Sequence, residues 1–547
     1  MKSFNFVTEV IFLCFFLTTK FIANAENHYY DWSVNLSLRA PLGITKEVIV
    51  INGQFPGPVL NVTTNDVVTI NIHNNLDDPF LMTWNGVQLR RNSWQDGVQG
   101  TNCPIKPGKN WTYSFQFKDQ IGSFFYFPTL LLHKAAGGYG AIHVNNRYVI
   151  PLPFPRPFQD IDVLIGDWFN ADYRYLRASI DEGKTLPLPD GILINGLGPN
   201  QSVFHFQPGA TYRLRITNVG LKTSLNFRIE DHLLQLVETE GSYLTKQYQT
   251  SLDIHVGQSY SVLVTAKNHT NNGRSYYMVA SSRFTDSELF GIGIIWYPDS
   301  FAYPSGPLPQ GPSLMDYGFS LNQARSMRWD LGVGAARPNP QGSYHYGSIN
   351  VSRTLVLENA DMFDGRKIVY TINGVSNVHP NTPLKLLDYF QINDVVKPIL
   401  ISERPFPGLL VQGVSVIYAN YRDFYHIVFQ NRFAEVQTWH IDGYNVFVVG
   451  MDYGTWDESK KETYNLIDAV SRSSFQVYPA SWTAVMVKLD NQGMWNLRSQ
   501  DAVRTYLGQE LYIRVKGIGH EDPSTISPRD ELPIPHNAIL CGKVAHL

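Results

Sequence analysis

Few side chains of this 547-residue chain have types and spacing suited to metal or redox chemistry. His440 follows Trp439, with Asp442 two residues on, and together with another histidine these could assemble a single adventitious metal site. A histidine beside a tryptophan reads more readily as a core residue held by hydrogen bonds than as a lone ligand. His133 has no partner at ligand spacing. That leaves the cysteines Cys14, Cys103 and Cys541.

The elements that carry these residues depend on the compartment. Residues 1–25 hold a lysine at Lys2, an apolar run from Val10 to Leu17 and the small-residue ending Ala23-Asn24-Ala25, the pattern of a secretory signal peptide. Cys14 leaves with that peptide, and in an oxidising compartment Cys103 and Cys541 read as one disulfide, with two buried thiols as the alternative. Such a bridge would lay the C-terminus against the N-terminal domain. No later window offers the roughly 20 apolar residues of a spanning helix, and the ending PHNAILCGKVAHL lacks the hydrophobic tail of a lipid-anchor signal. Acceptor triplets for N-glycosylation occur at Asn35, Asn61, Asn110, Asn200, Asn268 and Asn350, which would place those segments at the surface. A formal net charge of -3 carries no basic footprint and excludes nucleic acid as a partner.

Length exceeds one hydrophobic core, and 42 glycines, 32 prolines and 13% aromatics among short alternating runs indicate an all-β chain of several domains. INGQFPGP from Ile51 is echoed by INGLGPNQ from Ile194 and INGVSNVHP from Ile372, each an Asn-Gly turn leading through a proline-bearing connection to an alternating strand. Three homologous β-barrel domains follow: residues 26–150, 158–300 and 348–547, with Pro151 to Phe158 as an extended linker and 301–347 as a connecting segment. Helical turns are expected near Tyr173 to Gly183, Leu321 to Arg328 and from Gln500 onward.

Several segments carry a family resemblance. IGSFFYFPTLLLHKAAGGYGAIHV, residues 121–144, together with VINGQFPGP, DGVQGTNCPI, GDWF, TWHIDGYNVFVVG and GMWNLRSQ, resembles the plant multicopper oxidases across the whole mature chain. The similarity is greatest to the ascorbate-oxidase-like subfamily of SKU5-similar, monocopper-oxidase-like and pollen-specific proteins. It implies three cupredoxin-like Greek-key β-barrels. At the family's copper-ligand positions, however, this chain has Thr83 and Asn85, Phe127 and Thr129, then Gln437, His440 and Asp442, then Arg498, Ser499, Gln500, Arg504 and Gln509. Only His440 is retained. A blue-copper site needs a thiolate, which Ser499 does not supply, and Arg498 would set a fixed positive charge beside copper cations.

The resemblance therefore implies a secreted glycoprotein of the apoplast and cell wall, acting in wall expansion, pollen-tube or directional growth, with no catalytic residue and the family's oxidase activity lost. It expects no cofactor and leaves room for copper at low occupancy. The alternative is an oxidoreductase of reduced copper content acting on ascorbate, phenols or metal ions. Partners would be a cell-wall polysaccharide or wall protein. Because the four ligand segments converge between the first and third domains in the family, Asp442 and Arg498 are expected to form a direct or water-bridged ion pair there. His440, Asn85 and Gln500 would complete the hydrogen bonds, and Phe127 would fill volume.

Overall fold

The computed structural model describes residues 25–547 apart from 149, 269–272, 334–344, 407, 409 and 518–529, so residues 1–24 of the proposed signal peptide lie outside the described residues. Three β-barrels, each of two packed sheets, follow one another along the chain. The first joins Asn27–Arg39, Lys46–Ile51, Val67–Asn74 and Asn110–Gln116 in one sheet, and Leu60–Thr63, Met82–Asn85, Gly122–Pro128 and Gly140–Asn145 in the other. The second is built of six- and five-stranded sheets, the third of eight- and six-stranded sheets.

Sequence pattern explains the layers. VVTINIHN, Val67–Asn74, alternates half-buried and buried positions because one face packs on the core. GSFFYFP, Gly122–Pro128, is buried along its whole length, as its unbroken apolar run requires. Trp32, Trp84 and Tyr126 meet in the first core, with Trp32 and Tyr126 ring centroids 4.7 Å apart.

The three Asn-Gly echoes mark equivalent places. In each barrel the opening strand (Asn27–Arg39, Gln159–Trp168, Arg353–Phe363) pairs antiparallel with the strand that ends at the Asn-Gly turn. It pairs parallel with a later one: Val67–Asn74, Thr211–Asn218 and Phe424–Asn431. Asn52, Asn195 and Asn373 have φ of 50°, 50° and 48°, left-handed values that asparagine tolerates and the following glycine shares. Each asparagine side chain clamps the opening strand. Asn52 accepts from Ser33 N at 2.7 Å and donates to Asp31 O at 3.0 Å; Asn195 does so with Leu164 N and Asp162 O, at 2.7 and 2.9 Å; Asn373 with Glu358 N and Val356 O, both at 2.8 Å.

Pro151 to Phe158 carries no strand or helix. Helices form at Tyr173–Asp181, capped by Asp172, at Tyr317–Ser326, capped by Asp316, and at Ala502–Tyr506, capped by Asp501. Another, Leu384–Tyr389, has no side-chain cap and carries no advance signal beyond Pro383. No helix among the described residues is long and apolar enough to cross a membrane. Of the six acceptor asparagines, Asn35 is half-buried and the others are exposed.

Cys103 and Cys541 are bonded, with Cα atoms 6.0 Å apart across 438 residues of sequence. Around them Trp94, Leu386 and Val544 pack with Ile534, Ile539 and Leu540. Trp111 and Trp94 donate their indole N–H to Asn537 O and Leu532 O, at 2.9 and 3.0 Å. Peptide mapping without reduction is expected to recover the 103–541 link. The double variant Cys103→Ser, Cys541→Ser should lose about 2–5 kcal/mol in chemical denaturation; unchanged stability would contradict a structural role for the bridge.

Candidate functional site

The resembled ligand positions lie on four strands and loops at the contact of the first and third barrels. Met82–Asn85 pairs antiparallel with Gly122–Pro128, setting Thr83 opposite Phe127 and Asn85 opposite Phe125. Gln437–Ile441 pairs with Gly493–Ser499, setting His440 opposite Arg498 and Trp439 opposite Ser499. All of Thr83, Asn85, Phe127, Gln437, His440, Asp442, Arg498, Ser499 and Gln500 are buried.

At the centre sits the Asp442 carboxylate. Its Oδ1 lies 2.8 Å from His440 Nε2, and its Oδ2 accepts from Arg498 Nη1. Arg498 Nη1 also donates to Asn496 Oδ1 at 3.1 Å. Burial would push the Asp442 carboxyl up, but the Arg498 guanidinium and the His440 ring outweigh it and hold the group below the usual carboxylate range. His440 Nδ1 lies 2.9 Å from Ser473 O and 3.2 Å from Ser474 Oγ. A carbonyl oxygen only accepts, so Nδ1 carries hydrogen, while Nε2 faces a carboxylate. Both ring nitrogens are thereby engaged.

Other predicted positions fall around this centre. Gln500 Nε2 donates to Asn85 Oδ1 at 2.8 Å, a direct tie between the third and first barrels. Thr129 Oγ1 donates to Gly97 O at 2.8 Å. Gln509 Nε2 donates to Gln437 Oε1 at 3.3 Å, and Asp501 N donates to Ser499 Oγ at 3.2 Å. Arg504 stands apart: its guanidinium is sandwiched between Tyr370 and Phe433, 4.4 Å from each ring centroid, and donates to Glu435. His133 is buried against Phe80 and Tyr173 and reaches none of these groups.

Three charged residues at or beside the site were not singled out as candidates, although Asp96 and Lys134 lie within segments that carry the resemblance. Asp96 is brought in by Gly97, where φ is +73° and a Cβ would stand 1.7 Å from Met82 O. Burial, and then the charge of Asp442, push the Asp96 carboxyl well above its usual range. Glu240, from the second barrel, accepts from Ser473 N and Ser474 N at 2.7 and 2.8 Å and pairs with Arg472 at 2.8 Å, so it holds the segment that holds His440. Lys134 places its ammonium 4.4 Å over the Phe127 ring, and burial lowers it to about 7, with Asp167 and Asp501 opposing and Arg498 adding to the shift. Among the described residues no group of three or more His, Cys, Asp or Glu side chains stands at metal-binding spacing.

Two outcomes are expected. Asp442→Asn should cost about 3–5 kcal/mol in chemical denaturation, because it strands the Arg498 charge, and adding Arg498→Met should recover much of the loss. For Lys134, an unfolded lysine keeps its proton to about pH 10 whereas the folded one releases it near 7. The unfolded state then binds more protons between these limits, so this group's destabilising effect is full below pH 7 and fades as pH rises. Lys134→Met should accordingly raise Tm at pH 6, with the gain shrinking toward pH 10; a gain that grows with pH would contradict the assignment.

Comparison with known proteins agrees with this architecture. Multicopper oxidase family models match residues 34–148, 160–296 and 381–518. An L-ascorbate oxidase homolog of Brassica napus is 47% identical over 538 residues, covering 96% of this chain and 94% of that protein. The monocopper oxidase-like protein SKU5 of Arabidopsis thaliana is 46% identical over 559 residues, covering 98% and 94%. Among solved structures, the laccase of Botrytis aclada has a TM-score of 0.74 at 22% identity over 90% of this chain and 88% of that one. Fet3p, a multicopper oxidase that functions in iron import, has a TM-score of 0.75 at 19% identity over 90% of each chain. The chain belongs to the multicopper oxidase family, in its SKU5-like branch of ascorbate oxidase homologs.

Proposed function

We propose that this chain is a secreted, multicopper-oxidase-like glycoprotein of the plant cell wall that works without the four-electron oxygen chemistry of its family. The observation that carries the reading is the Asp442 carboxylate, bound on one side by His440 and on the other by Arg498. A trinuclear copper cluster needs converging imidazoles with free lone pairs, whereas the lone imidazole here has both nitrogens engaged. The guanidinium of Arg498 would set a fixed positive charge beside any cation held there, and it cannot be deprotonated.

The remaining donors are no better suited. Ser499 offers a hydroxyl in place of a thiolate, and Asn85 Oδ1 is taken by Gln500 Nε2. The residues present do not fit the family's copper centres, and no oxidase step is assigned to them. The cell-wall setting rests on the leader, the acceptor asparagines and the kinship with plant relatives.

Secreted protein produced with excess copper is expected to show no absorption band near about 600 nm, because that transition depends on a copper thiolate. Metal analysis should find copper well below one ion per chain. A blue band with near-stoichiometric copper would overturn this reading in favour of an oxidoreductase of reduced copper content.

A further inference from the structure

Between the first and third barrels lies a cavity of about 340 Å³, bounded by Phe127, Lys134, His379, Arg498, Gln500 and Glu510 among others. Its size is that of small-molecule sites. Two cations line it with donors left over. Lys134 Nζ and Arg498 Nη2 have no hydrogen-bond acceptor among the described residues, and each residue is only 4% exposed. They flank one aromatic ring: Lys134 Nζ is 4.4 Å and Arg498 Cζ 6.0 Å from the Phe127 centroid.

Ring faces attract cations but leave N–H groups unsatisfied, and a buried charged donor without an acceptor is costly. An acceptor is left over as well, since Gln500 Oε1 has no donor. The acids on the walls are already engaged. Glu510 is bound by His379 Nε2 and accepts from Asn496 Nδ2 at 2.8 Å and Asn377 Nδ2 at 3.1 Å. Asp364 accepts from Arg366 N and Lys367 N, each at 2.8 Å, and Lys367 itself pairs with Asp181 at 2.8 Å.

We propose that this cavity binds a small hydroxycarboxylate, of the size of a monosaccharide acid, whose carboxylate meets Lys134 Nζ and Arg498 Nη2 and whose hydroxyl donates to Gln500 Oε1. Charge-assisted bonds to an anion supply what both cations lack. The inference deepens the reading of these positions as free of copper and rests on it. Copper analysis of the same preparation therefore separates a failure of that reading from a failure of this one.

Titration calorimetry of the mature protein with D-galacturonate, D-galactose and inorganic phosphate tests it. Saturable binding of galacturonate is expected, with galactose, the neutral counterpart, at least about tenfold weaker, as charge-assisted recognition requires. Lys134→Met should lower galacturonate affinity about tenfold or more, while Lys134→Arg, which keeps the charge, should retain most of it. Absence of saturable galacturonate binding to the copper-free wild-type protein would overturn the proposal whatever the variants do. So would equal binding of galactose, unchanged affinity in folded Lys134→Met, or tighter binding of phosphate, which would mark a site for compact anions instead.

Discussion

A single buried carboxylate ties the centre of this molecule together. Asp442 holds a negative charge away from solvent, which is tolerable only because a guanidinium and an imidazole stand on either side of it. Each of those partners is fixed in turn by the backbone. The register of Gln437–Ile441 against Gly493–Ser499 sets His440 across from Arg498. The carbonyl of Ser473 orients the imidazole, and Glu240 of the second barrel pins the Ser473–Ser474 backbone. All three barrels thus depend on one arrangement, since Asn85 of the first meets Gln500 of the third beside it.

In a metal-bearing relative, cations can gather side chains from separate barrels by coordination. At this junction charge pairs and amide bonds make the ties, Arg498 to Asp442 within the third barrel and Gln500 to Asn85 of the first. A metal ion tolerates ligands from any direction that its geometry allows. A salt bridge, by contrast, satisfies only part of each partner, and the remainder is visible as the unpaired Nη2 of Arg498 and Oε1 of Gln500. These bonds tie the barrels together but leave the junction polar and hollow.

Much of this could be read from the sequence, and for physical reasons. Asn-Gly pairs are local signals: left-handed backbone is tolerated by few residues, so Asn52, Asn195 and Asn373 announce the same turn three times. Asp442 and Arg498 were legible together only through the family's spacing, which also grouped Arg504 with them, although its guanidinium is taken by Tyr370 and Phe433. Asp96, Glu240 and Lys134 were not legible. Asp96 and Lys134 sit inside segments that carry the resemblance, but at none of its ligand positions, and each of the three is buried by a long-range packing that no short window of sequence contains. The helix at Leu384–Tyr389 escaped notice for a related reason, since neither a capping side chain nor length marks it.

The bond between Cys103 and Cys541 closes residues 103–541 into a ring, with the strands before Cys103 as one arm and six residues after Cys541 as the other. A ring bears tension differently from a string. A pull between the opening strand Asn27–Arg39 and the residues after Cys541 would pass through the segment before Cys103, across the bridge and out along the second arm. The second and third barrels would be bypassed, able to remain folded under a load that strips strands from the first. The load of such a pull would fall on the first barrel, and the junction around Asp442 lies at the border of the loaded part.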